Sequence, residues 1–379
     1  METEFQEIGH CGGQFTINVT TVDGRRGIQL GIRHSRPTPM AAFGIYALPQ
    51  GIPVGTIQIG GIGQPFNPAP TSDSLSIFIA SDTQGVFGHQ CPRCKRYWRS
   101  TCAPAYWPMT CPYCGLRVET HNFLTEGQSK YVKACCEAIA EAISSEKDGE
   151  SVVDMDEVAD AVGKDIEKPT FYYADVSQQK KFDCSACGCF NDILGRYGYC
   201  SNCDTHNGLY EFEQELNHIR ERIKNDNQNE ACVKDIVATF DSFARQFSKQ
   251  FAERIPMTPP RCNEWDRKLF HQLKACMQSV ESVFGINLFK GLRQDDIDFA
   301  IRMFHRRHVY EHNGGEADEK YIRDSGDTSV RPKQALRETP ETASRIAQVV
   351  SMITKNFHDG FHLIFPPEEK PIKSHHRCG

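Results

Sequence analysis

The chain has 379 residues, a formal net charge of −6 and 39% hydrophobic residues. That length exceeds one ordinary core and predicts two to four domains, and the apolar share excludes a disordered chain. The acid excess excludes a molecule built throughout to bind polyanions, so any nucleic-acid contact has to come from a local patch.

Residues 1–88 predict a small β-rich domain. The opening stretch "METEFQEIGHCGG" lacks the basic and apolar segments of a secretion signal. No apolar run reaches the length needed to cross a bilayer, so the expectation is a cytoplasmic protein without a membrane partner. In "GGQFTINVTTVDGRRGIQLGIR" apolar and polar residues alternate; Phe15, Ile17 and Val19 share one face, and Ile28, Leu30 and Ile32 form a second run. The intervening "DG" signals a hairpin turn. "VGTIQIG" and "LSIFIA" predict further strands, with "GQPFNPAPTSD" as the loop between them.

The chain has seventeen cysteines. An odd number in a long chain without a signal argues against a disulfide framework and for metal binding in a reducing compartment. Eight of them form four CxxC pairs in two blocks. In residues 89–120, Cys91, Cys94, Cys111 and Cys114 give CxxC, a gap and CxxC. In residues 171–208, Cys184, Cys187, Cys200 and Cys203 repeat the pattern with a shorter gap, the spacing favouring Cys187 over Cys189 as ligand. Each CxxC sets two thiolates on one turn, and two turns complete a tetrahedron around Zn²⁺. The prediction is two zinc ribbons, each closed by four thiolates, with two structural Zn²⁺ per chain whose binding is part of the folding energy. Arg96, Tyr97, Trp98, Tyr106 and Trp107 decorate the first ribbon. Such a mixture suits a protein interface, a single-stranded nucleic-acid surface, or simply the packing of the ribbon itself; all three readings stand. Between the blocks, residues 121–170 predict a helix followed by an acidic connector.

From residue 209 the pattern becomes helical, with apolar positions three and four apart through residue 366; residues 367–379 predict a flexible tail. The fold class is therefore α+β multidomain: a small N-terminal β domain, two four-cysteine zinc ribbons and a C-terminal all-α domain. Within the helical part, "FHRRHVYEHNGG" places cations in the last turn of a helix that stops on Gly314 and Gly315. His305, His308 and His312 also lie roughly on one face, a spacing that admits a metal site.

Arg307, four residues, then His312, with polar His308 after the arginine and the continuation "HNGGEADEKY", resembles the Rx4-6H motif of HEPN domains. The resemblance covers roughly residues 180–365, and Arg306 satisfies the looser spacing as well as Arg307. It implies a helical ribonuclease domain in which two copies pair to form one cleft, as a homodimer or higher homo-oligomer. Arg307, His312 and His308 would be its catalytic residues, RNA its substrate, and a 2′,3′-cyclic phosphate with a 5′-hydroxyl its products. The chemistry is reasonable in itself: imidazole exchanges protons near neutral pH, an arginine fork stabilises charge on phosphorus oxygens, and catalysis needs no metal. Zinc ribbons ahead of such a domain resemble the architecture of ring-activated zinc-finger RNases of phage defence. That likeness implies an antiviral toxin triggered by an oligomeric phage protein, with Arg96, Tyr97, Trp98 and Trp107 as partner or RNA contacts. The alternative is a non-catalytic HEPN and zinc-ribbon adaptor that binds protein or nucleic acid; a metal-dependent hydrolase built on the histidine face is a further one.

Overall fold

The computed structural model describes residues 5–34, 41–58, 67–102, 107–145, 148–225 and 228–378; Tyr106 and the start of the proline-rich loop lie outside them. The chain is mixed α/β and divides into two compact units, Met1–Asp204 with Glu368–Gly379, and Thr205–Pro367.

In the first unit, β1 (Gly13–Val22) and β2 (Arg25–His34) form the expected hairpin. Asp23 and Gly24 both take positive φ, 51° and 73°, in a two-residue turn that matches the twist of the strands. Phe15, Ile17 and Val19 are buried, whereas Ile28, Leu30 and Ile32 are exposed, because β2 is an edge strand. β3 (Ala42–Ala47) lies between β4 (Pro53–Ile57) and β5 (Leu75–Ala80) in a second antiparallel sheet.

The next strands are β6 (Phe87–Gln90), β7 (Tyr97–Ser100) and the short pair β8 (Met109–Thr110) and β9 (Arg117–Val118). α1 (Glu126–Ser144) follows, opened by a reciprocal capping box between Thr125 and Gln128. Its Tyr131, Val132, Cys135, Cys136 and Ile139 are buried in one core with β1, β3 and β5. β10 (Gly149–Asp154) pairs antiparallel with β1, and α2 (Met155–Gly163) adds Met155 and Ala159 to the same core. The segment expected as an acidic connector is thus part of the β domain. Its acids have partners: Asp154 caps α2, and the Asp156 carboxylate accepts from the backbone N–H of Cys11 and Gly12.

β11 (Gln179–Asp183) and β12 (Phe190–Leu194) complete a four-stranded sheet in the order β11-β12-β7-β6. This sheet joins the two cysteine blocks, since β12 of the second pairs with β7 of the first. All eight CxxC cysteines belong to one apolar cluster around Trp98, Phe123 and Ile193.

The second unit is all helical: α3 (Gly208–Asn225), α4 (Asn229–Arg254), α5 (Pro259–Asp266), α6 (Leu273–Phe284), α7 (Gln294–His312), α8 (Glu319–Ser325) and α9 (Pro340–Ile364). Its centre is aromatic. Phe243, Phe247 and Phe251 on α4 meet Phe357 and Phe361 on α9, with ring centroids 4.3–6.2 Å apart. The last helix, α10 (Glu369–Cys378), belongs to the first unit. It stands where a flexible tail is expected, because Ile372 packs into the cysteine core, Glu368 N–H donates to the Cys203 carbonyl, and the Glu368 carboxylate pairs with Arg117. Among the described residues no helix is long and apolar enough to cross a membrane.

A buried histidine, His206, and a half-buried one, His362, tie the start of α3 to the end of α9. His362 Nε2 accepts from His206 N–H at 3.2 Å while its Nδ1 donates to the Phe365 carbonyl, and His206 Nδ1 accepts from Gly208 N–H at 3.1 Å. Both rings must be neutral to accept. Burial and the neighbouring His358 push His362 down to about 4, and burial pushes His206 well below its ordinary value. A depressed histidine gives stability that is complete above the unfolded value near 6.5 and is lost as pH falls through the folded one. The helical unit is therefore expected to lose about 3 kcal/mol from His362 alone between pH 6.5 and 4. Urea unfolding curves at pH 7.5, 6 and 4.5 check this; stability unchanged across that range contradicts it.

Candidate functional site

The cysteine sites are built from one turn used four times. In each CxxC the residue after the second cysteine adopts positive φ: Lys95, Gly115, Gly188 and Asp204, at 61–68°. In each, that residue's N–H donates to the carbonyl of the first cysteine, at 2.8–3.1 Å. The loop therefore closes on itself and turns both thiols to one side. Within the first set, Cys91 and Cys114 Sγ are 3.7 Å apart, as are Cys94 and Cys111. In the second set, Cys184–Cys203 and Cys187–Cys200 are 3.5 and 3.6 Å apart. A tetrahedron with metal–sulfur bonds of ~2.3 Å has edges of about 3.8 Å, so both sets could hold a metal ion. Among the described residues these are the groups of three or more Cys, His, Asp or Glu ligand atoms close enough to do so. Cys189 is buried beside the second set and is not one of its four.

Left-handed backbone costs a side chain about 1–2 kcal/mol. Gly115→Ala is expected to lower the thermal midpoint of this unit by a few degrees, and Lys95→Gly to raise it slightly. Melting curves of the two variants check the opposite signs.

The structure corrects the surface expected on the first block. Trp98 is 0% exposed, with Phe123 and His89 against its ring at 5.3 and 5.2 Å. Tyr97 is buried too, its hydroxyl donating to Glu7. The reason is topological: β7 is an interior strand, and all four of its residues are covered. Neither residue can serve as a surface anchor. Arg96 is exposed and lies over the Tyr113 ring, and Trp107 is half-buried, its indole N–H donating to Asn202 at 2.9 Å.

In the helical unit, α7 carries the cluster singled out in the sequence. Its two adjacent arginines have separate tasks. Arg306 donates to Tyr321 Oη at 3.1 Å, to Glu338 at 2.9 Å and to Asp327 at 2.9 Å. Both carboxylates are essentially buried, 1% and 0% exposed. Burial would raise Asp327, but bonds from Ser329, Tyr321 and Arg306 hold it well below the usual range. Arg306 is thus the hub of a buried ionic network that fixes the end of α7 to the segment after α8. Tyr321 serves this network, and Asp318 caps α8 while accepting from Asn313 at 2.7 Å.

Arg307 faces elsewhere. Its guanidinium meets Glu311 at 2.7 Å, and its Nε is buried without a partner among the described residues. The same Glu311 oxygen lies 4.0 Å from His312 Nε2. His312 is 55% exposed, and its ring sits 4.6 Å from that of His308. Half-buried Arg307 and exposed Glu311, His312 and His308 therefore form one group at the end of α7. His308 and His305 also line an adjacent cleft of about 420 Å³ with His271, Lys274 and Lys320. Burial keeps His305 and His271 below the ordinary histidine value.

Sequence reasoning missed Glu311, His271, Lys274 and Lys320. Glu311 is legible afterwards as an i,i+4 partner of Arg307; the others come from α6, the turn before it and α8, and no local pattern marks them.

No family model, curated protein or solved structure matches this chain. The functional reading therefore rests on the geometry just described and on the motif.

Proposed function

We propose that the chain is a metal-independent endoribonuclease of the HEPN type, held together by two structural Zn²⁺ and conditional on the pairing of two copies of α7. The observation that carries this reading is the group at the end of that helix: an arginine with a spare N–H and an exposed imidazole share a single carboxylate. Glu311 supplies an anion where a phosphodiester would lie between the two. In the proposed reaction a 2′-hydroxyl attacks the adjacent phosphorus, and the bond to the 5′-oxygen breaks. The 2′ proton passes to an imidazole, and the leaving oxygen takes one up. His312 is the proton carrier, Arg307 the stabiliser of the phosphorane, and His308 a contact that orients the pair. His271, Lys274 and Lys320 line the cleft along which the RNA backbone would run.

Two features support dependence on a partner. The group lies on the surface, where water would compete with the reaction, and a second α7 would cover it. A partner that lines up several chains raises their effective concentration; an oligomeric phage protein is the trigger implied by the resemblance, in a cytoplasmic defence role. Tyr97 and Trp98 are withdrawn from the sensing surface, which leaves Arg96 and Trp107.

The deciding experiment is incubation of the purified zinc-loaded protein, at rising concentration, with total RNA with and without a mild chelator. Cleavage that survives chelation and ends in 2′,3′-cyclic phosphates supports the reading; chelator-sensitive cleavage ending in 3′-hydroxyls overturns it. Because Glu311 repels phosphate, Glu311→Gln is expected to tighten RNA binding several-fold, read as a lower KM at low salt.

A further inference from the structure

The first unit contains a cavity of about 630 Å³ next to the first cysteine turn. Its floor includes Glu7, Tyr97 and Phe171, all buried. Glu7 is 6% exposed, and its two oxygens differ. Oε2 accepts from the Tyr97 hydroxyl at 3.2 Å, whereas Oε1 has no hydrogen-bond partner among the described residues. Leaving a buried carboxyl oxygen unpartnered is unfavourable by roughly 1–3 kcal/mol, so the fold keeps it against a penalty.

The surroundings show what is missing. The protein's own cations do not complete Glu7: Arg99 is committed to Asp82, and Lys130 to Glu126 at 2.8 Å. Two glycines let the backbone pack close against the acid and its cavity: a Cβ on Gly88 would meet the Tyr97 hydroxyl oxygen at 2.3 Å and Glu7 Oε1 at 2.6 Å, and one on Gly127 would meet Ile166 Cδ1 at 2.7 Å. Aromatic faces stand beside the acid, the Tyr97 and Phe171 rings having centroids 5.3 Å apart. The rim carries both signs, with Asp165 and Glu167 against Lys95, Arg96 and Lys168. These five charges sum to +1, so the rim itself does not select a cation, and the acid on the floor decides.

We propose that this cavity is a binding site for an organic cation that donates N–H, an amine or a guanidinium, with Glu7 as its counter-ion and Tyr97 and Phe171 as its aromatic walls. The group comes either from a free small amine or from a lysine or arginine side chain of a protein. The site is independent of the ribonuclease reading.

A pH signature follows. Burial raises the Glu7 carboxyl to about 7, against the nearby Thr125 and Tyr97 hydroxyls and the charge of Arg99. The other groups facing it do not titrate there: Tyr97 and Tyr172 are both held above the ordinary phenol value by burial. A cation binds the ionised acid, so affinity should rise with pH through about 7 and level off above it. Between pH 6 and pH 8 the gain is about tenfold.

The test is calorimetric titration of the full-length zinc-loaded protein with agmatine, with the blocked tripeptide Ac-Gly-Arg-Gly-NH2, and with its citrulline counterpart. Binding of a guanidinium probe that is about tenfold tighter at pH 8 than at pH 6, and absent for citrulline, supports the site. Agmatine binding as well as the peptide names a free amine; binding of the peptide alone names a protein side chain. Glu7→Gln still accepts from Tyr97 and should weaken binding at least tenfold and flatten its pH dependence. If that variant does not fold, Asp165→Asn with Glu167→Gln, both exposed, should weaken it several-fold. No binding of either guanidinium probe, equal binding of citrulline, or unchanged affinity in the variant that folds overturns the proposal.

Discussion

Arg307→Ala and His312→Ala are each expected to abolish RNA cleavage, by a thousandfold or more, while leaving folding and metal content intact. Arg307 makes one partly exposed ion pair with Glu311, and pairs of this kind at the surface contribute about 1 kcal/mol. His312 is mostly solvated, so its loss disturbs no core. Arg306→Ala should fail differently. It leaves Asp327 and Glu338 buried and unpaired, which destabilises by roughly 3–5 kcal/mol and lowers the melting temperature by roughly 10 °C. Any loss of cleavage in Arg306→Ala should therefore track the loss of folded protein. His308→Ala should lower kcat without abolishing it, since its ring touches His312 rather than Glu311. Melting curves and single-turnover cleavage separate the cases. Full activity in Arg307→Ala and His312→Ala would sink the catalytic assignment, and a stable but inactive Arg306→Ala would move the role to that arginine.

The sequence could not divide those roles. Arg306 and Arg307 are neighbours with equal claims to the spacing, and their difference lies in Asp327 and Glu338, 21 and 32 residues away. The stop of α7 was legible, because Gly314 and Gly315 both take positive φ. So was each cysteine pair, because the turn that aims two thiols is local. The joining of the two blocks was not. It depends on β7 pairing with β12 across roughly ninety residues, and this contact also hides Trp98. A short basic-aromatic run reads the same whether it lies on a surface or inside a sheet. Arg99 shows the limit most plainly: it looks like surface decoration, yet it is buried against Asp82. The acidic stretch after α1 failed for a related reason, since its Asp156 carboxylate serves backbone N–H groups just ahead of β1, laid down far earlier in the chain.

Elemental analysis is expected to return about two Zn²⁺ per chain, and the two sites should not be lost independently. In each set two Sγ–Sγ distances of 3.5–3.7 Å fit the edge of a tetrahedral ion and all four sulfurs lie within 4.8 Å of one another, and both sets sit in one apolar cluster. Metal binding in such small domains is folding free energy, ~10–16 kcal/mol for isolated zinc fingers, so removing one ion exposes the core that supports the other. The strongest test is Cys200→Ser, because Cys200 is fully buried and its sulfur also accepts from Asn191 and Asn202. It should bring the metal content below one per chain rather than to one, with the first site lost as the β7–β12 pairing loosens. Cys91→Ser should do the same in reverse. Cys189→Ser removes a buried thiol outside both sets and should keep two ions, with a stability loss of about 1 kcal/mol. A content of one in both ligand variants would show that the two sites fold independently. A drop to one in Cys189→Ser would place Cys189 among the ligands in place of one of the four.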